Sequence, residues 1–194
     1  MESAVLIGDS IRMGYQPFVA DMLDGQADVW GPEINGGTTS NVLVHLIDWV
    51  QRRRPDVLHI NAGLHDIKTV LTSRRETVTS PEAYARNVKL ILEIACQFCG
   101  RVIWATTTPL REHLHNARRT EAGSFLRYQA DVEAFNRIAV DIAAQVGAET
   151  NDLHQVARNA GLDRIQKDDG VHFNDAGSEA LARAVVTAVR QSHH

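Results

Sequence analysis

Two short stretches at opposite ends of the chain carry side chains that suit nucleophilic chemistry. Gly8-Asp9-Ser10 directly follows an apolar run at 4–7, and Asp169-x-x-His172 lies near the C-terminus. A serine that attacks a carbonyl carbon needs a base to take its proton and a carboxylate to orient that base. Histidine suits the base because its unperturbed pKa is roughly 6.5. Ser10, His172 and Asp169 are therefore a candidate nucleophile, base and orienting carboxylate.

Each stretch also has a simpler structural interpretation. Asp9 and Ser10 are residue types that cap helices, and Asp169 is a cap candidate beside a surface histidine. A serine in the first turn of a helix, however, lies next to free backbone N–H groups that favour negative charge. The two stretches together favour a catalytic role over capping, because one supplies a nucleophile and the other supplies a base and a carboxylate.

The alternation of strand-like and helix-like segments predicts how these residues are positioned. Apolar runs predict strands at 4–7, 27–30, 56–61, 101–106 and 148–150. Helical spacing and caps predict helices at about 9–24, 39–54, 81–99, 124–146, 152–159 and 176–190. This order predicts an α/β fold in a single domain over 1–194, with a mostly parallel sheet between helices on both faces. Ligands of such sheets bind at the carboxyl ends of the strands, where Ser10, Gly37 and the 63–66 turn should converge.

Composition and charge argue against several classes of protein. The 194 residues are 44% hydrophobic and 23% charged, which is typical of a globular protein. A net charge of -4, without a basic stripe, argues against a nucleic-acid partner. No apolar run approaches the roughly 18 residues of a membrane span. The first residues lack signal-peptide features, so we expect a cytoplasmic protein, although an export signal already removed would leave no trace.

The two cysteines, Cys96 and Cys99, form a lone C-x-x-C motif at the end of a predicted helix. A zinc site needs about four ligands, and the chain has no second pair of cysteines. We therefore expect ordinary helix residues here rather than a redox or metal site.

Four motifs, in this order, resemble those of the SGNH (GDSL-type) hydrolases. They are Gly8-Asp9-Ser10, Gly37 before a helix, Gly63-x-x-Asp66 after the third strand, and Asp169-x-x-His172. The resemblance runs from Gly8 to His172 and on into the closing helix. It implies a three-layer α/β/α sandwich with a flavodoxin-like, five-stranded parallel sheet.

The same resemblance implies a serine esterase that uses no metal or diffusible cofactor. Carried over by position, Ser10 is the nucleophile, His172 is the base and then the acid, and Asp169 orients it. The backbone N–H groups of Ser10 and Gly37 would donate hydrogen bonds to the oxyanion.

One position departs from the family pattern. The third motif is usually G-x-N-D, whose Asn amide also donates to the oxyanion, whereas this chain has His65 at that place. A neutral imidazole has one N–H, so we expect His65 to replace the amide, and activity would then respond to pH at two histidines. The alternative is that His65 is structural or contacts substrate, and that Asn61 or water donates instead. Asp66 is expected to tie its turn to the first loop.

The expected substrate is a small-molecule or saccharide ester with a short acyl chain such as acetyl. The 63–66 motif and the 103–109 segment resemble a bacterial subgroup linked with carbohydrate O-acyl groups. A loop from Arg111 to Arg119 is rich in Arg and His, and it either favours an anionic or sugar-bearing substrate or is an ordinary solvated loop. Asp9, Arg111 and His113 are the candidate substrate-binding residues.

Other functions stay open at this level. A lipid-chain esterase, lysophospholipase or thioesterase fits the same residues, as does an O-acyltransferase. Outside enzymes, a catalytically inactive carbohydrate-binding module on the same fold is favoured by His65 and opposed by the intact Ser10, Asp169 and His172. The sequence leaves the oligomeric state open.

Overall fold

A five-stranded parallel sheet with the order β2-β1-β3-β5-β7 is the centre of the computed structural model, which describes residues 1–70, 75–119 and 124–191. Two short antiparallel strands, β4 and β6, form a separate ribbon. The strands are β1 (Glu2–Ile7), β2 (Ala27–Trp30), β3 (Val57–Ile60), β4 (Thr69–Val70), β5 (Arg101–Ala105), β6 (Phe125–Leu126) and β7 (Glu149–Asn151).

Helices cover both faces of the five-stranded sheet. They are α1 (Ser10–Met22), α2 (Thr39–Val50), α3 (Pro81–Phe98), α4 (Glu112–Ala117), α5 (Gln129–Val146), α6 (Leu153–Ala160), α7 (Leu162–Ile165) and α8 (Asp175–Arg190). On one face α8 packs against α1, α6 and α7, and on the other α3 packs against α2 and α5. The expected three-layer α/β/α sandwich is confirmed.

The core lies between the sheet and these two helix layers. The last four residues of β1 and all of β3 are buried, as expected of central parallel strands covered on both faces. Polar residues cap several helices, and those at Asp9, Asp152 and Asn174 are predicted by the sequence. Asp9, Ser80, Asp152 and Asn174 each accept a backbone N–H from the first turn of the helix that they cap.

Several predicted boundaries need correction. The helix predicted at 124–146 begins at Gln129, because Phe125 and Leu126 pair with β4 instead. The loop at 111–119 contains the short helix α4. The predicted polar loop at 68–80 contains β4, and its residues 71–74 lie outside the described part of the chain.

The C-x-x-C motif lies at the C-terminal end of α3. Cys96 is exposed, Cys99 is half-buried just beyond α3, and both are free thiols. Burial raises the pKa of Cys99 to about 12, which keeps the thiol protonated at neutral pH. No cluster of metal-ligating side chains occurs within the described residues, and none of their helices is long and apolar enough to cross a membrane.

Candidate active site

Ser10 is the first residue of α1, three residues after the end of β1. Asp9 occupies the cap position, and its Oδ1 accepts the N–H of Ile11 at 2.9 Å. The first N–H groups of a helix have no intrahelical partner, so the N–H of Ser10 is available to a ligand. Ser10 therefore presents a hydroxyl and a backbone donor together at the carboxyl edge of the sheet.

A continuous hydrogen-bonded chain joins Ser10, His172 and Asp169. Ser10 Oγ lies 2.9 Å from His172 Nε2, and His172 Nδ1 lies 2.6 Å from Asp169 Oδ2. The three side chains are in the order nucleophile, base and orienting carboxylate. The fold thus brings together residues that are 162 positions apart in sequence.

The Asp169 carboxylate is ionised in this arrangement. Burial raises its pKa, but the hydrogen bond from His172 and the backbone N–H groups of Val171 and His172 outweigh that effect and lower it to about 2. An ionised carboxylate only accepts hydrogen bonds, so Nδ1 of His172 must carry its proton. Nε2 then presents its lone pair to the hydroxyl of Ser10.

The loop that carries Asp169 and His172 is held by Arg111. The Arg111 N–H donates to the carbonyl of Gly170, and its guanidinium donates to the carbonyls of Gln166 and Lys167 at 3.2 and 2.9 Å. The guanidinium also pairs with Asp163 at 3.2 Å. These contacts give Arg111, expected to bind substrate, a role in fixing the loop.

The other two candidate substrate-binding residues differ in exposure. Asp9 is buried, and its side chain accepts the N–H of Ile11 where it caps α1. His113 is exposed on α4 and makes no hydrogen bond with any described residue. Of these two, His113 alone faces solvent.

The glycine pair after β2 lies directly against the loop of Ser10. The Gly36 N–H donates to the carbonyl of Gly8 at 2.9 Å, and a Cβ at Gly36 would be 2.8 Å from that carbonyl oxygen. Gly37 has a φ of +66°, and its N–H donates to Asn35 Oδ1 at 2.9 Å. An oxyanion bound by Gly37 would therefore compete with the Asn35 side chain for this proton.

Asp66 ties its turn to α2 rather than to the first loop, which corrects the expectation from sequence. Its carboxylate accepts the N–H of Thr39 at 3.0 and 3.1 Å and the hydroxyl of Thr39 at 2.6 Å. Thr39 is the first residue of α2 and follows Gly37 by two positions. The tie thus connects the two loops that contain His65 and Gly37.

His65 is half-buried, and no hydrogen bond joins its ring to another described residue. Burial lowers its pKa to about 4, against the opposing effect of the Asp9 carboxylate. The ring is therefore neutral at physiological pH and has one N–H to donate. The alternative donor, Asn61, already donates its Nδ2 to the carbonyl of Ala105 at 2.8 Å.

Arg127, which is 5% exposed beside this turn, is a site residue that the sequence did not predict. Its Nε donates to the carbonyl of Leu64 at 2.7 Å, and Nη1 lies 3.3 Å from Nε2 of the buried His115. Burial, then the charge of Arg127, lowers the pKa of His115 to about 4, so this ring is neutral. No local pattern marked Arg127, because it fell inside the helix predicted at 124–146.

Comparison with known proteins identifies one family and several solved structures with the same fold. The model of the GDSL-like lipase/acylhydrolase family matches residues 6–180. A search of curated proteins found no match.

Among solved structures, the lipase/acylhydrolase from Enterococcus faecalis is similar, with a TM-score of 0.79 and 21% identity over 97% of this chain and 95% of that one. The acetylxylan esterase Axe2 from Geobacillus stearothermophilus has a TM-score of 0.75 and 17% identity over 98% and 95% of the two chains. The acetyl xylan esterase AlAXEase has a TM-score of 0.73 and 19% identity over 96% and 99%. At these identities the likeness concerns the fold.

Proposed function

Because the chain belongs to the GDSL-like lipase/acylhydrolase family, we propose that it is a serine esterase whose catalytic residues are Ser10, His172 and Asp169. The observation that carries the proposal is the hydrogen-bonded chain from Ser10 Oγ through His172 to Asp169. We further propose one hydrolase domain over residues 1–194, since the last helix of the sandwich packs against the first.

The reaction begins with attack of Ser10 Oγ on the ester carbonyl carbon. His172 Nε2 takes the hydroxyl proton as the new C–O bond forms, and then gives that proton to the leaving alcohol. Asp169 keeps Nδ1 protonated and stabilises the imidazolium that forms. Water, deprotonated by the same nitrogen, attacks the acyl-enzyme and releases the acid and the free hydroxyl of Ser10.

Three donors are proposed for the oxyanion of the tetrahedral intermediates. The Ser10 N–H is free of an intrahelical bond, and the neutral His65 ring has an uncommitted N–H. The Gly37 N–H becomes the third donor when it exchanges Asn35 Oδ1 for the oxyanion. His65 thereby takes the place of the Asn amide of the G-x-N-D motif.

The proposed substrate is a short-chain acyl ester, with acetyl on a carbohydrate as its most specific form. Support comes from two of the similar structures, which are acetyl xylan esterases. The exposure of His172 and Asp169 also supports a short-chain ester, because 43% and 33% of their side-chain surfaces are open to solvent. A site this open suits a small acyl group on a bulky alcohol.

The experiment that tests this function is a chain-length series of p-nitrophenyl esters together with acetylated xylooligosaccharides. We expect kcat/KM to be highest for acetate, to fall through butyrate to decanoate, and acetate to be released from the oligosaccharide. A preference for decanoate would favour the lipid-chain esterase. Absence of turnover with every ester, by folded protein, would contradict the esterase proposal.

A further inference from the structure

Three cationic side chains surround one aromatic ring next to the candidate active site. The Nζ of Lys68 lies 4.5 Å from the centroid of Phe125, and the Cζ atoms of Arg119 and Arg127 lie 4.8 and 4.7 Å from it. The ribbon of β4 and β6 brings them together, because Phe125 pairs with Val70, two residues after Lys68. We call Lys68, Arg119 and Arg127 the cation cluster.

Within the described ranges of the chain, the cation cluster has no carboxylate at ion-pair distance. None of its three members forms an ion pair there, whereas Arg75, Arg101, Arg111 and Arg183 all do. The Nε of Arg119 is buried and has no hydrogen-bond partner. Contacts with the face of Phe125 hold the cations in place but supply no ion pair.

The cations of the cluster are close enough to repel one another. Burial, then the charges of Arg127 and Arg119, lower the pKa of Lys68. Burial and Arg119 also lower the pKa of Arg127, to about 10, and the carboxylates of Asp9 and Asp169 offset part of this effect. An incoming anion would relieve this repulsion between like charges.

The cluster adjoins the site on the side of His65. Lys68 follows His65 by three residues, and Arg127 holds the carbonyl of Leu64, the residue before His65. Arg127 also contacts His115, whose pKa is influenced by both Asp169 and His172. A substrate bound at Ser10 therefore has the cluster next to it.

We propose that Lys68, Arg119 and Arg127 form a subsite for an anionic group of the ester substrate, a carboxylate, sulfate or phosphate near the scissile bond. The inference rests on the proposed esterase function and narrows its substrate class to negatively charged esters. The cation cluster, and not Arg111, would then bind the anionic group. The Arg111 guanidinium already donates hydrogen bonds to the loop that carries Asp169.

Two substrate pairs test the subsite, one for each side of the ester. 4-Acetoxybenzoate against 4-acetoxybenzamide places the charge on the alcohol, and p-nitrophenyl hemisuccinate against p-nitrophenyl butyrate places it on the acyl group. We expect the wild-type protein to favour the anionic ester of at least one pair. Lys68→Met and Arg119→Met should each lower that preference about tenfold, mainly through KM, as for loss of one charge-assisted hydrogen bond.

Matched control variants distinguish loss of the subsite from a change in the protein's net charge. Lys89→Met and Arg86→Met remove the same charges from the exposed surface of α3 and should leave the preference unchanged. High salt should weaken the wild-type preference, because ions screen such contacts. Equal turnover of both members of each pair, or the same loss of preference in the α3 controls, would overturn the subsite.

A binding measurement distinguishes failure of the subsite from failure of the esterase function. Sulfate, compared with chloride at equal ionic strength, should raise the melting temperature of the wild-type protein more than that of Lys68→Met or Arg119→Met, because its general stabilising effect is the same for all three proteins. That result without ester turnover would support the anion site and refute the esterase. Ester turnover with neither this difference in sulfate stabilisation nor charge preference would refute the anion site alone.

Discussion

The carboxylate of Asp66 accepts hydrogen bonds from the hydroxyl and the N–H of Thr39, at 2.6 Å and at 3.0 and 3.1 Å. Both residues are fully buried, and burial raises the pKa of Asp66 against the effect of these hydrogen bonds. Asp66 follows His65 directly, and Thr39 lies two residues after Gly37. One buried contact thus fixes the distance between two loops that carry proposed oxyanion donors.

Asp169→Asn should lower kcat by about 10⁴-fold with little change in KM. The Asn amide can donate its N–H to Nδ1, so the variant favours the tautomer in which Nε2 carries the proton and cannot take that of the serine. Steady-state kinetics on p-nitrophenyl acetate measure the loss. Asp168→Asn, at the exposed neighbouring position, is the matched control and should retain activity. A loss of less than tenfold in Asp169→Asn would show that Asp169 does not orient the base.

His65→Ala should lower kcat by about 10²–10³-fold, the usual effect of losing one oxyanion donor. His65→Asn should recover most of that loss, because its amide restores the family's G-x-N-D motif. Burial lowers the pKa of His65 to about 4, so its protonation should not shape the activity profile above about pH 5. This revises the expectation that activity responds to two histidines. Two results speak against the donor role: full activity in the Ala variant, or equal defects in both variants.

Comparing Gly37→Ala with Gly147→Ala distinguishes the effect of backbone strain on stability from an effect on catalysis. Both glycines have positive φ, +66° and +77°, and in neither case would an added Cβ meet an atom closer than 3.7 Å. Each substitution should therefore lower the free energy of unfolding by about 1–2 kcal/mol in urea titrations. Only Gly37→Ala should also lower kcat, since Gly147 ends α5 away from Ser10. Equal activity in the two variants would exclude Gly37 from the oxyanion site.

Stability should fall with acidification between about pH 6.5 and pH 4. Burial lowers the pKa values of His59, His65 and His115 to about 4 in the folded protein. The unfolded chain, with ordinary histidine pKa values, binds more protons in that window, so the free energy of unfolding rises with pH there. At about pH 5 the slope should correspond to uptake of about two to three protons on unfolding. Urea titrations at several pH values measure this slope, and a flat profile from pH 7 to pH 5 would contradict the burial of neutral histidines.

The fold and the Asp169–His172 pair could be predicted from the sequence because each has a local sequence pattern. Apolar runs and helical spacing predicted all five strands of the parallel sheet. Asp169 and His172 are three residues apart on one turn, which is enough to pair them before any tertiary contact is known. Their contact with Ser10 followed from the rule that ligands of parallel sheets meet at the carboxyl ends of the strands.

Features that depend on tertiary contacts escaped prediction. The two-residue strands β4 and β6 are too short to show periodicity, and Phe125 and Leu126 fit the helical spacing of the segment that follows. Arg127 was consequently placed on a helix, although it is buried against Leu64. The hydrogen bond from the Gly37 N–H to the Asn35 side chain could not be predicted either. The sequence around Asn35 is the same whether or not its side chain accepts this hydrogen bond.

The central claim is that Ser10 is the nucleophile of a serine esterase, and the most direct measurement is active-site labelling. Wild-type protein and Ser10→Ala are incubated with a fluorophosphonate probe, and hydrolysis of p-nitrophenyl acetate is followed in parallel. The account predicts that wild type is labelled and active, and that folded Ser10→Ala loses both properties. Labelling of Ser10→Ala, or folded wild-type protein that is neither labelled nor active, would contradict it.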